Sequence, residues 1–135
     1  MKYILIVLCA FFSCYSGYAQ LNIDPDDYVW IEKNVKASAY NSTKAQTVGN
    51  PSIGAWGDKL KPGIKAIAIS RDLIKLGITR NTPFKIEGFS GYYLVKDKMH
   101  ARHRNKIDLY MGKDIQKARE FGIQNLNVQY GVLKK

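Results

Sequence analysis

The chain has 135 residues, the usual length of a single domain. Its residues are 46% hydrophobic, 12% aromatic and 24% charged, which supplies a core and excludes a disordered, collagen-like or low-complexity chain. The 21 Lys and Arg residues outnumber the 11 Asp and Glu residues, so the formal net charge is +10 and a polyanionic partner has to be considered.

The N-terminus has the pattern of a secretory signal peptide. Lys2 precedes an almost purely apolar run over residues 3–12, which is too short to span a bilayer, and small residues follow up to Ala19. We predict that residues 1–19 are a signal peptide and that the protein is exported, to the periplasm or cell envelope or into the medium, with no stable membrane insertion after cleavage. A retained anchor helix and lipidation at Cys14 are the alternatives.

Export changes which partners are expected. Both cysteines, Cys9 and Cys14, fall within the predicted signal peptide, so the mature domain would have no disulfide, thiol nucleophile or cysteine metal site. A nucleic acid is not expected as partner outside the cytoplasm, and the chain has no Gly-rich phosphate loop. A bacterial envelope instead offers anionic glycopeptide, polysaccharide and lipid headgroups.

The remaining chain has the pattern of a β-rich domain. Residues 20–34 show little periodicity and are predicted to be a lead-in segment before a domain over 35–135. The predicted strands, in chain order, are 35–40, 65–69, 84–87, 92–96, 106–110 and 126–133.

Two short helices are predicted between the strands. Ser70 can cap a helical turn that ends at Gly77, and a helix from Asp114 to Phe121 would end at Gly122. The Gly- and Pro-rich residues 41–63 are predicted to form a long loop, either functional or flexible. Six short strands predict a small closed barrel, because closure removes unpaired strand edges.

Several short stretches, taken in order, resemble one known family. They are Ala37-Ser38-Ala39-Tyr40, Lys65-Ala66-Ile67-Ala68-Ile69-Ser70, Ile74-Lys75-Leu76-Gly77, Ile86-Glu87-Gly88, Val95-Lys96-Asp97, Asn105-Lys106-Ile107-Asp108-Leu109-Tyr110 and Ala118-Arg119-Glu120-Phe121-Gly122. Over about residues 35–133 the chain resembles the three-aspartate (3D) domain family of exported bacterial proteins. The resemblance implies a mainly β fold, a six-stranded double-psi β-barrel with one or two short helices, related to the barrels of membrane-bound lytic transglycosylase A and rare lipoprotein A.

The resemblance also implies a function. It implies that the protein acts on the glycan strands of peptidoglycan by lytic transglycosylation. We predict a monomer that needs no cofactor. The family's second and third aspartates fall on Asp97 and Asp108, the latter being the usual candidate for the catalytic acid. The place of the first aspartate holds Ser70, with Asp72 two residues further on, and residues 98–100 are Lys-Met-His where active relatives have Thr-Gly-Gly. A catalytically inactive wall-binding module of the same fold is the alternative.

Lytic transglycosylation requires a carboxyl group whose pKa is raised. In lytic transglycosylation one carboxyl group protonates the leaving glycosidic oxygen and then accepts the proton of the muramic 6-hydroxyl, so its pKa must lie above the free Asp value of about 3.9. A neighbouring carboxylate raises the pKa. Asp97 and Asp108 are expected to form such a pair if their strands pair across residues 98–104. Hydrolysis by the same two carboxyls stays open.

Further residues near the long loop are candidates for substrate binding, because sugars are held by aromatic faces and short polar side chains. The substrate-binding candidates are Tyr40, Thr47, Trp56, Asp58, Ser70 and Asp72. Loop packing is the alternative for Tyr40 and Trp56, and helix capping is the alternative for Ser70.

A basic run follows Val95 and comprises Lys96, Lys98, Arg102, Arg104 and Lys106. It is expected either to guide an anionic wall polymer towards the carboxyls or to be an ordinary solvated loop. A protein that binds anionic lipid or polysaccharide by charge alone is a third possibility. His100 and His103 lie among these cations, which disfavours metal binding, so no metal site is predicted.

Overall fold

The computed structural model describes residues 21–43, 50 and 52–135. These residues form six strands: β1 (Tyr28–Tyr40), β2 (Ala66–Ile69), β3 (Pro83–Ile86), β4 (Tyr93–Lys98), β5 (Lys106–Tyr110) and β6 (Gln124–Leu133). Two 3-10 helices, Pro25–Asp27 and Arg71–Leu76, and one α-helix, α1 (Ile115–Phe121), accompany them. The strands close into a barrel in the order β1-β5-β2-β4-β3-β6. The predicted mainly β, six-stranded barrel with short helices is confirmed.

The order of the strands around the barrel differs from their order along the chain on both sides of β2. Strand β5 lies between β1 and β2, and β4 lies between β2 and β3. The pairs β1/β5 and β2/β4 are parallel and the other four are antiparallel. The expected pairing of the strands that carry Asp97 and Asp108 is therefore wrong, because β2 separates β4 from β5. Local sequence spacing could not reveal an inserted strand that comes from an earlier part of the chain.

Strand β1 begins at Tyr28, earlier than the predicted start at Val35. Its first residues pair antiparallel with β6, from Tyr28 opposite Leu133 to Asn34 opposite Asn127, so the second half of the predicted lead-in segment is a strand. This part of β1 is largely exposed or half-buried. A strand with no fully buried face is not required to alternate apolar and polar residues, so the sequence carries no period-two signal there.

The barrel core is formed by the inward-facing residues of all six strands. Its largest fully buried members include Phe84, Ile67, Ile69, Ile107, Leu109, Val35 and Val95. The outward side of β2 is also buried, because Ala66 packs with Leu60 and Tyr110 in a second apolar cluster beneath the long loop. Strand β2 is thus covered on both faces, and its outward residues, Ala66 and Ala68, are small.

The two predicted helices are present with the predicted ends. The 3-10 helix after β2 has Ser70 at its N-cap position and ends at Gly77, whose φ of 88° favours glycine. Asp114 caps α1 by accepting a hydrogen bond from the Lys117 N–H at 3.0 Å, and α1 ends at Gly122.

Within the described part of the chain, none of the helices has the length and apolar character needed to cross a bilayer. The predicted signal peptide, including Cys14, lies outside the described residues.

Candidate functional site

Four residues from four strands stand side by side on the outer face of the barrel. Ser38 of β1 is in register with Asp108 of β5, Asp108 is in register with Ala68 of β2, and Ala68 is in register with Asp97 of β4. We call these four residues the carboxyl row. Residues in register project to the same side of a sheet, so the two aspartates flank the small Ala68 side chain, with their Cα atoms about 10 Å apart across two strand spacings.

Asp108 is contacted by a hydroxyl group and an ammonium group. The Ser38 hydroxyl donates a hydrogen bond to Asp108 Oδ1, and Lys106 Nζ lies 3.8 Å from the same oxygen. The side chain keeps 22% of its surface exposed. The two contacts fix the position of Oδ1, so Asp108 is an oriented side chain within reach of a ligand.

Asp97 is half-buried and accepts backbone hydrogen bonds. Burial raises the pKa of Asp97, and the backbone N–H groups of Lys98 and Ala55 oppose this rise only in part. Both N–H groups donate to Oδ1, at 2.8 and 3.0 Å. Oδ2 is therefore the oxygen that is left to carry a proton.

The raised pKa makes Asp97 a cost to stability at neutral pH. Its folded-state pKa lies above the ordinary value of 3.8, so stability is lost as the pH rises from 3.8 through the folded-state value. Asp97→Asn removes this loss and keeps an Oδ1 acceptor for both N–H groups. We expect the variant to melt at a higher temperature than the wild type at pH 7 and at about the same temperature below pH 3.8. A lower melting temperature at pH 7 would contradict this reading.

Tyr40 lies beside the carboxyl row. Burial, followed by the charges of Asp97 and Asp108, raises its pKa, so the phenol remains neutral. Its ring packs against Tyr110, with the ring centres 5.5 Å apart, and its buried hydroxyl oxygen has no hydrogen-bond partner among the described residues. Tyr40 can thus offer an O–H donor to a ligand oxygen between the two carboxyls.

The turn formed by residues 54–58 closes one side of the site. The Gly54 N–H donates to the Asp58 carbonyl at 2.8 Å, and the next N–H, that of Ala55, binds Asp97. Trp56 is half-buried against the core, and Lys98 Nζ lies 5.2 Å from the centre of its ring. The structure therefore brings Trp56, a predicted substrate-binding residue, to the Asp97 end of the row.

Asp58 anchors this turn. The Arg80 guanidinium donates to both carboxylate oxygens at 2.9 and 2.7 Å, and Lys96 Nζ lies 3.6 Å away. The Arg80 hydrogen bonds hold the pKa of Asp58 below its ordinary value. Its charge is satisfied within the protein, so the structure gives Asp58 an anchoring role where substrate binding was predicted.

Ser70 and Asp72 are not part of the carboxyl row. Ser70 is fully buried, and its hydroxyl accepts a hydrogen bond from the Lys106 N–H at 2.9 Å, while Asp72 Oδ2 accepts one from the Asn105 N–H at 2.9 Å. Burial favours a higher pKa for Asp72, but the Ser70 hydroxyl and the Asn105 N–H outweigh it and lower the pKa. Both residues hold the start of β5, which carries Asp108, and the predicted contact of Ser70 with substrate does not agree with its burial.

Ser70→Ala tests this structural role. The change leaves the partly buried Lys106 N–H without its acceptor, so we expect a loss of about 1–3 kcal/mol in the free energy of unfolding. Chemical denaturation measures it. Stability equal to that of the wild type would show that Ser70 does not hold β5.

Sequence reasoning missed two members of the row. Ser38 was recognised as a polar strand position and Ala68 as part of a buried strand, but neither was assigned to the site. Their roles depend on the register of β1, β5 and β2, which no local pattern specifies. Thr47, the remaining predicted contact, lies outside the described residues.

The basic run contributes to the surroundings of the site through three of its residues. Lys98 lies over Trp56, Lys106 beside Asp108, and Lys96 Nζ donates to Asn81 Oδ1 at 2.5 Å. Within the described part of the chain, no three His, Cys, Asp or Glu side chains are grouped so as to hold a metal ion. The site therefore combines two unlike carboxyls, a buried phenol and flanking cations.

The chain was compared with known proteins. It matches no family model and no curated protein. Among solved structures, an apo expansin of Clavibacter michiganensis is similar over 78% of this chain and 51% of its own, with 18% identity and a TM-score of 0.48. A mutant of that expansin in complex with cellohexaose is similar over the same shares, with 16% identity and a TM-score of 0.45. The chain thus spans about half the length of these structures.

Proposed function

We propose that this protein is exported, binds the glycan strands of peptidoglycan at the carboxyl row and cleaves them by lytic transglycosylation. The observation that carries the proposal is the register of Asp97 and Asp108, which places one carboxyl on each side of Ala68. Export rests on the signal-peptide pattern of residues 1–19. The proposal assigns the barrel to the double-psi type, supported by the insertion of β5 and β4 beside β2.

The two carboxyls suit different parts of the reaction. Asp97, whose pKa is raised, donates its proton to the leaving O4 oxygen as the bond from O4 to the muramic C1 breaks. The 6-hydroxyl oxygen then bonds to C1 and returns its proton to Asp97, so no water is consumed and the acid is regenerated. Asp108, oriented by Ser38 and Lys106, stabilises the positive charge that develops at C1.

This division of roles differs from the one that the family resemblance implies. The resemblance assigns the acid–base role to Asp108, whereas the contacts favour Asp97 as the group that holds the proton. The reason is physical: burial raises the pKa of Asp97, which favours its protonated form, and the Ser38 hydroxyl already binds Asp108 Oδ1.

The flanking groups suit a wall glycan. Tyr40 supplies a neutral O–H donor, Trp56 an aromatic side chain, and Lys98 and Lys106 supply positive charge close to the carboxyls. Muramic acid carries a lactyl group that ends in a carboxylate or a stem peptide, so cations beside the catalytic pair favour its approach.

A wall-binding module without catalysis is the second candidate. It is favoured by the distance between the two strands: β2 separates the carboxyls, and the place of the family's first aspartate is the buried Ser70. In that case Asp97 serves only to hold the turn that contains Ala55.

Incubation of the purified protein with purified sacculi separates these functions. Mass spectrometry of the soluble fraction is expected to show muropeptides that end in 1,6-anhydromuramic acid. Products with a free reducing end would mean hydrolysis instead. Absence of products while the protein co-sediments with sacculi would establish the binding module. Binding that disappears at high salt would indicate attraction by exposed charge alone.

A further inference from the structure

A second surface lies on the side of the barrel opposite the carboxyl row. Strands β2 and β6 are three places apart in the closed ring of six, so their outer faces point in opposite directions. The outer face around β6 combines an aromatic cluster with a polar groove. We call the two together the far face.

The aromatic cluster consists of Tyr28, Trp30 and Tyr92. The rings of Trp30 and Tyr92 are stacked, with centres 5.7 Å apart and planes 18° from parallel, and Tyr28 lies 5.6 Å from Trp30. The Trp30 ring is held in place because its Nε1–H donates to the Pro25 carbonyl at 3.1 Å. All three rings are half-buried, so they present ordered aromatic surface at the exterior.

Gly131 makes room for this cluster. It stands opposite Trp30 in the pairing of β1 with β6. A Cβ at this position would lie 2.8 Å from Tyr28 Cδ1 and 3.0 Å from Pro83 Cγ, so any side chain would displace the Tyr28 ring.

The polar groove adjoins the rings and has a volume of about 630 Å³. Lys85 connects the two parts, because it lines the groove while its Nζ lies 4.0 Å from the centre of the Trp30 ring. The outward polar residues along the groove are Glu32, Asn34, Lys85, Glu87, Asn127 and Gln129.

These side chains leave hydrogen-bonding capacity for a ligand. Asn34 Nδ2 donates to Asn127 Oδ1 at 2.9 Å, and Gln129 Nε2 donates to Glu32 Oε1 at 3.4 Å. Each amide has two N–H donors and a carbonyl acceptor, so one bond uses only part of it. Planar amides and carboxylates next to aromatic rings are suited to the hydroxyls and the apolar faces of sugar rings.

The charge of the groove favours an uncharged ligand. Its lining contains two acids, Glu32 and Glu87, and two lysines, Lys33 and Lys85, which cancel, although the whole chain carries a net charge of +10. A polyanion would be attracted to the other surfaces of the protein before this one. We propose that the far face is a second binding surface, specific for a neutral polysaccharide, that binds this ligand independently of the carboxyl row.

The chain offers a direct test, because it has two tryptophans, Trp30 on the far face and Trp56 at the carboxyl row. In Trp56→Phe the fluorescence reports on Trp30 alone. Titration of this variant with chitohexaose, a neutral β-1,4-linked oligosaccharide, is expected to change the Trp30 emission in a saturable way. Asn127→Ala and Gln129→Ala, introduced together into the Trp56→Phe variant, are expected to weaken the affinity for chitohexaose about tenfold.

Two controls make the test decisive. Asp108→Asn in the Trp56→Phe background is expected to leave the Trp30 titration unchanged, and circular dichroism confirms folding of each variant. A flat Trp30 emission with chitohexaose, or a response to the polyanion polygalacturonate alone, would overturn the proposal. A response that Asp108→Asn abolishes would also overturn it, because the ligand would then bind at the carboxyl row.

The outcome does not depend on the proposed catalytic function. If anhydro-muropeptides are released but the Trp30 emission does not change, the catalytic proposal is supported and the proposal for the far face is refuted. If the Trp30 emission changes but no product is released, binding at the far face is supported and the catalytic proposal is refuted.

Discussion

Asp97→Asn and Asp108→Asn are each expected to reduce the release of anhydro-muropeptides from sacculi at least about 100-fold, since a positioned acid or base contributes roughly 10²–10⁴-fold to such a reaction. Asn at position 97 cannot donate the proton that the leaving O4 oxygen requires. Asn at position 108 removes the negative charge beside the developing positive charge at C1. Release is measured by mass spectrometry at a fixed protein concentration.

The two variants also distinguish the roles of the two carboxyls. If Asp97 holds the proton, the pH profile of the residual activity in Asp108→Asn keeps its alkaline limb, because Asp97 still titrates. Asp26→Asn is a matched control, because it removes the same charge at an exposed position away from the carboxyl row, and it should release products at the wild-type rate. Full activity in both Asp97→Asn and Asp108→Asn would refute catalysis by the carboxyl row.

The melting temperature of Asp97→Asn tests whether unfolding explains a loss of activity at position 97. Asp97→Asn is expected to be more stable than the wild type at neutral pH, because it removes a carboxyl whose pKa is raised by burial. If Asp97→Asn is more stable than the wild type but has lost activity, Asp97 is required for catalysis and not for folding.

Gly54→Ala is expected to have the second large effect. An added Cβ at Gly54 would lie 2.1 Å from the Lys96 carbonyl oxygen, a backbone atom that cannot move aside without shifting β4. The turn over residues 54–58 must then lift, and the Ala55 N–H moves away from Asp97 Oδ1. We expect a loss of about 1–3 kcal/mol in the free energy of unfolding and a large loss of activity.

Gly88→Ala is the control for this variant. Gly88 has a φ of 82° and no atom within 4 Å of an added Cβ, so its substitution costs about 1 kcal/mol through the left-handed backbone alone. It is expected to retain activity because it does not touch the turn over Asp97. Equal activity of the two variants, with equal stability, would show that the contact between Gly54 and Lys96 does not support the site.

The ends of β5 could be predicted from the sequence, but its neighbouring strands could not. Strand β5 was predicted with its observed ends, because Ile107 and Leu109 alternate with polar residues. Its neighbours were not predicted, since alternation states which face a residue occupies and not which strand lies beside it. For that reason Asp97 and Asp108 were expected on adjacent strands, whereas Ala68 lies between them.

The same limit applies to the start of β1 and to the role of Ser70. Residues 28–34 belong to a strand that is stabilised by pairing with β6, which lies about a hundred positions away, and not by a buried face of their own. Ser70 has the sequence of a helix cap, and it occupies the N-cap position, but its hydroxyl binds the distant Lys106 N–H. A short-range propensity and a long-range hydrogen bond compete there, and the long-range bond prevails because it pairs the buried Ser70 hydroxyl with a backbone N–H.

By itself the sequence determined the composition of the barrel: six short strands, two capped helical turns, a basic surface and two aspartates in polar strand positions. These properties depend on neighbours within a few residues, through side-chain alternation, capping and backbone preference. The tertiary structure alone decided the strand order, and with it the carboxyl row, the burial that raises the pKa of Asp97 and the assembly of the far face. Pairing between distant segments is set by the closure of the whole barrel, and burial and electrostatics at the site follow from that pairing.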